Sequence, residues 1–466
     1  MSDLLDPAVR EEVTDRLADL WRGRPVVVAP VVLAGAARLV GWLRELGCPV
    51  LVLATARGTG PLPTDCEVLD LARPATVSLT EELRTHDRLL RRLPDDVRAA
   101  VDAFDPERNG VWSTTPFVTT DEPVEGRPVT GGRPAAWLAL EDKLLADDLW
   151  DAVGVARAPY RHVEVADRDA LAEATAELAG PLGAVWSGDA REGFNGGADF
   201  VRWVREDRDR AAAAAFFAPR CDRVRVAPFL EGVPCSIHGM VLPGATAVFR
   251  PVEIVVLRSA RRGFVLAGVG STWDPPAADR EVMRDVARRV GEHLRRTHDY
   301  RGAFGVDGVL TADGFRPTEL NTRLSAGLTV LSEVDRRLFT FLQSALVAGV
   351  EPDLTAADLE RLVPVMDAER AGKVTALAED VHAVEASSTP VAWNGERLTP
   401  AAHETGNVLS VGPTPSGLFA KVDPCAALVP GQRLAPLCAA LHARLDEDHG
   451  TSFGPLEAAP DVRVSA

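Results

Sequence analysis

Four polar side chains within residues 300–327 have the types and spacing that could bind a divalent cation. Asp307, Glu319 and Asn321 offer three oxygen donors, and Arg323 follows them. Like charges that face each other in a hairpin are destabilising, so Asp307 and Glu319 together indicate a cation between them. Oxygen donors without nitrogen or sulfur suit Mg²⁺ or Mn²⁺, with phosphate oxygens and water completing the coordination. The alternative is a hairpin with two solvated acids, which explains neither Asn321 nor Arg323.

The two acids face each other only if this segment is a β-hairpin. Residues Val306–Thr311 alternate as a strand, residues 312–314 form a turn, and Phe315–Asn321 return as a second strand. A three-residue loop centred on Asp313 places position 307 directly opposite position 319. Position 321 lies on the same face as position 319, because side chains alternate along a strand.

The elements before the hairpin begin with a predicted α/β unit over residues 1–134. An apolar run at Pro25–Val32, a helix ending at Leu46 and a second apolar run at Pro49–Ala54 follow one another with short links, which predicts a parallel sheet. The small residues Ala34–Ala37 between the first strand and this helix lack the GxGxxG pattern. We interpret them as an ordinary strand-to-helix turn rather than a nucleotide-binding loop.

Three further units are predicted after this one. Residues 135–225 begin with a helix over Trp137–Val153, residues 226–348 are rich in strands and contain the hairpin, and residues 349–466 hold short strands, an Asn394-Gly395 turn and a closing helix. The strands predicted around the start of the third unit and ahead of the hairpin cover Val224–Leu230, Cys235–Leu242, Ala245–Val256 and Gly263–Ala267.

Composition excludes some classes of protein. The chain has 51 Lys and Arg residues against 68 Asp and Glu, a formal net charge of −17. Nucleic-acid binding without sequence preference needs basic patches, so a nucleic-acid partner is not expected, and neither is an anionic membrane surface. The N-terminal residues do not resemble a secretory signal, and the six cysteines are widely spaced. We therefore expect reduced thiols and a cytoplasmic protein.

An aspartate on one strand and Glu-Leu-Asn-x-Arg on the next resemble the metal-binding hairpin of the ATP-grasp superfamily. The sequence Glu141-Asp142-Lys143, on the predicted helix, is similar to the first nucleotide-binding element of that family. The resemblance implies that Lys143 contacts the α- and β-phosphates of ATP. The chain contains only three lysines against 48 arginines, and a lysine that persists against this background agrees with a point-charge role.

Two further segments resemble nucleotide-binding parts of the same family. Residues 191–198 are similar to the mobile glycine-rich loop that closes over the triphosphate, where exposed backbone N–H groups surround phosphate oxygens. Residues 226–232 occupy the place of the hinge that holds adenine and ribose. The resemblance implies nucleotide contacts from residues of the loop and the hinge: Arg191, Gly193, Phe194, Asn195, Gly196, Gly197, Phe229, Leu230 and Glu231.

The chain departs from the family pattern at two places. The strand before the glycine-rich loop, residues 183–189, has no lysine where the family usually has a second one. The sequence leaves open whether Arg191 supplies that charge or Trp186 packs against adenine. The acid of the hinge is displaced to Glu231.

The resemblance implies the ATP-grasp fold, an α/β and α+β architecture with an N-terminal Rossmann-like pre-ATP-grasp domain and a C-terminal extension. Within the superfamily, the arrangement most resembles the actinobacterial peptide-ligase branch typified by the pheganomycin ligase. The family implies an ATP- and Mg²⁺-dependent carboxylate–amine ligase that forms an acyl phosphate. In that reaction Arg323 would stabilise charge, and Arg250 and Glu253 would face the carboxylate and the amine unless they are a cross-strand or surface pair.

Other functions remain open at this point. A kinase-like ATP-grasp phosphotransferase would use the same residues, and an ATP-binding protein without turnover is favoured by the missing second lysine. A metal-free interaction scaffold is disfavoured by the hairpin. For a ligase, we expect amino acids or peptides as substrates in specialised metabolism, and the sequence leaves a homodimer open. His238 is expected to be a core residue or a neighbour of the nucleotide rather than a base.

Overall fold

The computed structural model describes residues 3–72, 76–196, 198–259, 261, 263–401, 406–423 and 429–463. Within these ranges the strands form three sheets of five, four and twelve strands. None of the helices in the same ranges combines the length and the apolar character that crossing a membrane requires.

The first sheet confirms the parallel sheet predicted from the N-terminal apolar runs, because its five strands all run in one direction. The elements are α1 (Pro7–Leu17), β1 (Val26–Ala29), α2 (Ala37–Glu45), β2 (Val50–Ala54), β3 (Glu67–Asp70), α3 (Leu79–Arg91), α4 (Asp95–Phe104), β4 (Val111–Thr114) and β5 (Val129–Thr130). All four residues of β1 are buried, and alternate ones face two different apolar clusters. Burial on both faces is what helices on either side of a parallel sheet produce.

The second sheet is small and antiparallel, in the order β6-β9-β7-β8. Its elements are α5 (Ala135–Leu138), α6 (Ala146–Ala152), β6 (Arg161–Glu164), α7 (Arg168–Leu178), β7 (Ala184–Gly188), β8 (Val201–Val204), α8 (Asp207–Phe217) and β9 (Arg223–Pro228). The single helix predicted over Trp137–Val153 is wrong. A short 3₁₀ turn at Ala139–Glu141 and an irregular turn divide it into α5 and α6.

The large sheet begins with β10 (Val233–Val241), β11 (Thr246–Val248), β12 (Val252–Ser259), β13 (Gly263–Gly270), α9 (Ala277–Thr297), β14 (Gly302–Thr311), β15 (Gly314–Asn321), α10 (Ala326–Leu331) and α11 (Arg336–Val347). The strand predicted over Ala245–Val256 is in fact two strands, β11 and β12. Pro251 lies in the interruption and has no N–H for a ladder hydrogen bond. Helix α9 packs on the sheet behind the hairpin of β14 and β15 through an apolar cluster.

The remaining elements are α12 (Ala356–Glu360), α13 (Val363–Ala368), β16 (Gly372–Ala378), β17 (Ser387–Trp393), β18 (Leu398–Pro400), β19 (Val408–Thr414), β20 (Gly417–Asp423), α14 (Ala435–His449) and β21 (Glu457–Ala458). The predicted turn at Asn394 is present between β17 and β18, where its side-chain oxygen accepts two backbone N–H groups. Strand β16 pairs with β13, so the sheet continues across the predicted boundary at residue 348.

Candidate active site

The hairpin of β14 and β15 pairs Asp307 with Glu319, as the sequence predicts, but by a different route. The loop holds two residues rather than three, because Thr311 pairs with Gly314. A β-bulge beside Asp307 then adds one residue to β15. The shorter loop and the bulge compensate for each other, because each changes the register by one residue. The two acids therefore face each other across the strand pair.

Asp307 is the acid of the hairpin with no cation bound directly to it among the described residues. The hydroxyl of Ser236 donates to its Oδ1 at 2.6 Å, and the amide nitrogen of Asn321 donates to its Oδ2 at 2.9 Å. Burial and then the charge of Glu319 raise the pKa of Asp307 to about 6. A carboxyl with a raised pKa next to a second acid is a place where a further positive charge would be stabilising.

Lys143 reaches this pair from outside the sheet. Its Nζ lies 2.5 Å from Oε2 of Glu319, and its side chain is largely buried. The residue lies in the turn between α5 and α6 rather than on a helix, which corrects the predicted placement. The turn brings Lys143 to the hairpin across 176 residues of chain, since α6 packs against β15.

The donor set suits a divalent metal that completes its coordination elsewhere. In the part of the chain that the structure describes, no group of three or more Cys, His, Asp or Glu side chains is placed to hold a metal. The hairpin offers two carboxylates and the amide of Asn321, which a half-turn about its last bond would present as an oxygen donor. Two carboxylates with water and ligand oxygens is the pattern typical of Mg²⁺.

Glu141 fastens the end of the hairpin to the preceding loop. The guanidinium groups of Arg133 and Arg323 both bind its carboxylate, and the backbone N–H of Thr322 donates to it at 2.9 Å. Burial alone would raise the pKa of Glu141, but the two guanidinium groups hold it at about 2. Glu141 is therefore a charged, fully partnered group that sets the direction of Arg323.

The residues that follow Glu141 tie the small sheet to the same point. We call residues 141–147 the anchor segment. The carboxylate of Asp142 accepts from the backbone N–H of Ala190 at 3.3 Å, just before the glycine-rich loop. Asp147 is fully buried and accepts from Nη2 of Arg225 on β9 at 2.8 Å. One short segment thus contacts the hairpin, the loop and the small sheet.

Phe117 joins Arg323 to the glycine-rich loop. The guanidinium carbon of Arg323 lies 4.8 Å from the centre of the Phe117 ring, and that of Arg133 lies 5.6 Å from it. The other neighbour of the ring is Phe194 of the loop, stacked at 4.8 Å. A cation over an aromatic face is held by the ring quadrupole, so this stack positions Arg323 under the loop.

The glycine-rich loop is fastened to the N-terminal unit through α3. Arg84 donates from Nε and Nη2 to the carbonyl oxygen of Phe194 and from Nη2 to the side-chain oxygen of Asn195 at 2.9 Å. The hydroxyl of Thr80 and the backbone of Gly196 exchange two hydrogen bonds at 2.9 and 3.0 Å. Gly193 adopts a positive φ of 112°, which favours glycine at that position. Gly197 lies outside the described residues.

No protein-family model matches the chain, and no curated protein matches its sequence. The biotin carboxylase domain of 2-oxoglutarate carboxylase from Hydrogenobacter thermophilus, solved with MgADP, ADP and bicarbonate, has a TM-score of 0.54 and 14% identity over 85% of each chain. Carboxyaminoimidazole ribonucleotide synthase from Aspergillus clavatus, solved with ATP, has a TM-score of 0.51 and 13% identity over 92% of this chain and 99% of that one.

A third solved structure covers both chains almost completely. Phosphoribosylamine–glycine ligase from Thermotoga maritima has a TM-score of 0.51 and 15% identity over 93% of this chain and 98% of its own. The chain has the ATP-grasp fold. At these identities the likeness establishes the fold, whereas the function of the site depends on its own residues.

Residues 229–231 link the two antiparallel sheets of this ATP-grasp fold, and two of them already contact other side chains of the chain. Phe229 packs in an aromatic cluster, with ring centres 4.9 Å from Trp203 and 6.0 Å from Phe264. The carboxylate of Glu231 accepts from Arg258 on β12 at 3.1 Å. Leu230 lies between them and is half-buried. The ribose contact predicted for Glu231 would require it to share or exchange this arginine.

Neither residue considered in place of the second lysine is directed toward the hairpin. Trp186 is fully buried on the helix-covered face of the small sheet, where its Nε1 donates to Thr175 at 3.1 Å. Arg191 donates to Asp222 at 3.3 Å and to the carbonyl oxygen of Pro219. The adenine contact considered for Trp186 is therefore wrong. The structure directs the guanidinium of Arg191 away from the phosphate contact predicted for it.

Arg250, which was predicted to be catalytic, is bound by acids of the chain in this structure. Its guanidinium is fully buried and bound by Asp274 at 2.7 Å and Asp367 at 3.1 Å. Glu253 is equally buried, and Arg433 donates to it at 2.6 Å. Arg250, just before β12, and Glu253, on β12, bind Asp367 and Arg433 of the C-terminal part. Their spacing on the predicted strand indicates nothing about these distant partners.

His238 is a core residue, as expected. It is almost fully buried, and burial lowers its pKa to about 3, so the imidazole is neutral at pH 7. Sequence reasoning missed four residues that the structure brings to the site: Arg133, Glu141, Phe117 and Arg84. Glu141 belongs to the predicted element Glu141-Asp142-Lys143, in which only Lys143 was given a role. Nothing local distinguishes the other three.

Proposed function

We propose that this protein is an ATP-dependent ligase that joins a carboxylate to an amine and releases ADP and phosphate. The observation that carries the proposal is a cluster of charged side chains. In this cluster Asp307 and Glu319 face each other beside Lys143. Arg323 lies under the glycine-rich loop. ATP and Mg²⁺ are the cofactors that this arrangement would take. The three solved neighbours act on different substrates, so the fold supports the proposal without naming the substrates.

Asp307, Glu319 and Asn321 would hold the metal. A bound Mg²⁺ would supply positive charge that neutralises the negative charge developing during phosphoryl transfer. Lys143 is paired with Glu319 in this structure, within reach of the same point. It would contact the phosphates as a point charge. For the loop, we propose backbone contacts from residues 193–197 to the phosphates, and for residues 229–231 contacts to the nucleoside.

Arg323 would bind the reacting carboxylate and then the acyl phosphate. Its planar guanidinium suits either group, and Glu141 and Phe117 hold it in one direction. In the first step a carboxylate oxygen attacks the γ-phosphorus and ADP leaves. In the second, the amine attacks the acyl carbon, phosphate leaves with that oxygen, and the amine loses a proton. The closed loop would keep water from the intermediate.

The finer assignment follows the sequence resemblance. We propose amino acids or peptides as substrates and a role in specialised metabolism, as in the peptide-ligase branch. We propose a pre-ATP-grasp domain at residues 1–134, two ATP-grasp subdomains at 135–225 and 226–348, and a C-terminal part at 349–466 whose strands extend the large sheet.

The test is a turnover assay with ATP, Mg²⁺, amine acceptors and a panel of carboxylates labelled with ¹⁸O. Phosphate released with one labelled oxygen, together with a condensed product of the expected mass, is the expected result. It follows because the carboxylate itself attacks phosphorus. Label that stays in the organic product while ADP forms would show an ATP-grasp phosphotransferase instead. Binding of ATP with neither ADP release nor a product would show a nucleotide-binding protein without turnover.

A further inference from the structure

The N-terminal parallel sheet has a cavity at the carboxyl end of its central strands. The sheet order β3-β2-β1-β4-β5 places β1 between strands that lie on opposite sides of it, so the winding of the chain reverses between β1 and β4. Ligands of open α/β sheets bind in the crevice at such a switch point, beyond the carboxyl ends of the strands. A cavity of about 290 Å³ lies there, between the segment after β1 and the segment after β4.

The lining of this cavity contains no charged side chain. Half-buried apolar groups of Val31, Val32 and Leu39 form one wall, and hydroxyl-bearing residues at the end of β4 form the other. The Oγ1 atom of Thr115 is buried and has no hydrogen-bond partner among the described residues. A buried hydroxyl without a partner carries a desolvation cost that a polar group of a ligand would remove.

One residue of the cavity lining, Thr115, lies close along the chain to a residue of the candidate active site. Phe117 follows Thr115 by two residues, a stretch that spans at most about 7 Å of extended chain. The ring of Phe117 lies 4.8 Å from the guanidinium carbon of Arg323. A ligand of amino-acid size could therefore place one end in the cavity and a carboxylate at Arg323.

The chemistry of this cavity differs from that of the larger crevice in the molecule. That crevice, of about 1350 Å³, runs along the outer edge of β8 and carries charges of both signs, such as Arg202, Arg220 and Asp199. The smaller one offers apolar surface with hydroxyl groups. Its volume lies at the low end of the range for small-molecule sites, about 300–1,000 Å³, so it suits a single residue rather than a peptide.

We propose that this cavity binds the uncharged apolar side chain of the substrate whose carboxylate reacts at Arg323, so that the carboxylate substrate is an apolar amino acid. This inference rests on the proposed ligase function and deepens it. The apolar wall would select against charged side chains, because a charge placed there would lose its hydration without gaining a partner. Thr115 would bind a polar group near the base of that side chain.

The test uses a variant whose larger side chain fills the cavity. Gly35 lines it and has an ordinary backbone conformation, and an added Cβ would meet only Val32 Cγ2 at 3.8 Å. Gly41 lies on α2, does not line the cavity and has no atom within 4 Å of an added Cβ. Gly35→Leu is the test variant and Gly41→Leu the matched control. ADP release is measured with leucine, valine and methionine, and with aspartate and lysine as charged comparators.

We expect the apolar amino acids to support turnover. We expect Gly35→Leu to raise their KM by about 10- to 200-fold or more, since a single methylene group in an apolar pocket already has an effect of that size and leucine adds four carbons. The KM for ATP should stay within about twofold, and Gly41→Leu should match the wild type. Preferred turnover of aspartate or lysine, or an unchanged KM in Gly35→Leu, would overturn the proposal.

A binding measurement separates this inference from the proposed function. If no carboxylate supports ADP release, the ligase proposal fails, and the pocket is then judged without turnover. Hydrogen exchange is measured at residues 30–36 and 113–115 with saturating leucine and no ATP. Slower exchange in the wild type but not in Gly35→Leu supports the pocket. No change in the wild type overturns it.

Discussion

Glu141 and Asp307 are carboxylates of the same candidate site, and their surroundings shift their pKa values in opposite directions. Burial by itself raises both pKa values. At Glu141, two guanidinium groups outweigh burial and hold the pKa at about 2. At Asp307, the facing charge of Glu319 adds to burial and the pKa rises to about 6.

Glu141 is therefore a structural charge, whereas Asp307 has no cation bound to it among the described residues. The cations that bind Glu141 belong to the chain itself. The charge of this carboxylate is therefore balanced, and it holds Arg323 in place. Among the described residues, a hydroxyl and an amide are the hydrogen-bond partners of the Asp307 carboxylate, while Lys143 binds the opposite acid. A divalent cation at the hairpin would supply the positive charge that is missing beside Asp307. Four measurements test this difference.

The largest effect is expected at the hairpin itself. Asp307→Asn and Glu319→Gln should each lower ATP turnover by more than about 10³-fold, because the metal that stabilises the transferring phosphoryl group would lose a ligand. Thermal unfolding should stay close to that of the wild type. Asp313→Asn, in the exposed loop of the same hairpin, is the control and should keep full activity. A hairpin variant that retains most of its activity with the same Mg²⁺ dependence would contradict the metal assignment.

Arg323 should give the next largest effect. Arg323→Lys keeps the charge but loses the fork that binds a carboxylate or phosphate through two nitrogens. We expect turnover to fall by about 10²- to 10³-fold, with a much smaller change in ATP affinity. Arg316→Lys, on the same strand, is the control. Equal losses in turnover and ATP binding would instead indicate that Arg323 serves nucleotide binding.

Glu141 should appear in the pH dependence of stability. Its pKa is lowered from 4.5 to about 2 in the folded protein, so it stabilises the fold fully above pH 4.5. That contribution, roughly 3 kcal/mol, is lost as the pH falls from 4.5 toward 2. The free energy of unfolding in urea should therefore differ most between wild type and Glu141→Gln near pH 7. The difference should shrink below pH 4.5, and a constant difference down to pH 3 would show that the charge of Glu141 is not what stabilises this region.

The smallest effect is expected at the glycine-rich loop. Removal of the Arg84 contacts in Arg84→Ala should speed hydrogen exchange at residues 193–196 by about 10-fold, since these bonds hold the loop on α3. An ATP analogue with Mg²⁺ should slow exchange there in the wild type. Arg88→Ala, one turn further along α3, is the control. Exchange that does not respond to nucleotide, where binding is shown independently, would argue against a lid.

The sequence was informative wherever the signal is local. The alternation around residue 313 predicted the hairpin and the pairing of Asp307 with Glu319, and the apolar runs predicted the parallel sheet. These features depend on side-chain periods and turn residues within a few positions of one another. The same local rules failed at the predicted helix over Trp137–Val153, where the anchor segment breaks the helix and its side chains bind distant partners.

Which charges come together depends on tertiary packing, and no local pattern predicts it. Glu141 meets Arg323 across 182 residues, and Arg84 meets Phe194 across 110. Arg250 was a candidate from its position in the sequence, but in the structure it is buried and bound by Asp274 and Asp367. The physical reason is that local pattern determines which face of a strand or helix a side chain occupies. The pKa and the role of that side chain depend on the groups that packing brings to the face from elsewhere in the chain.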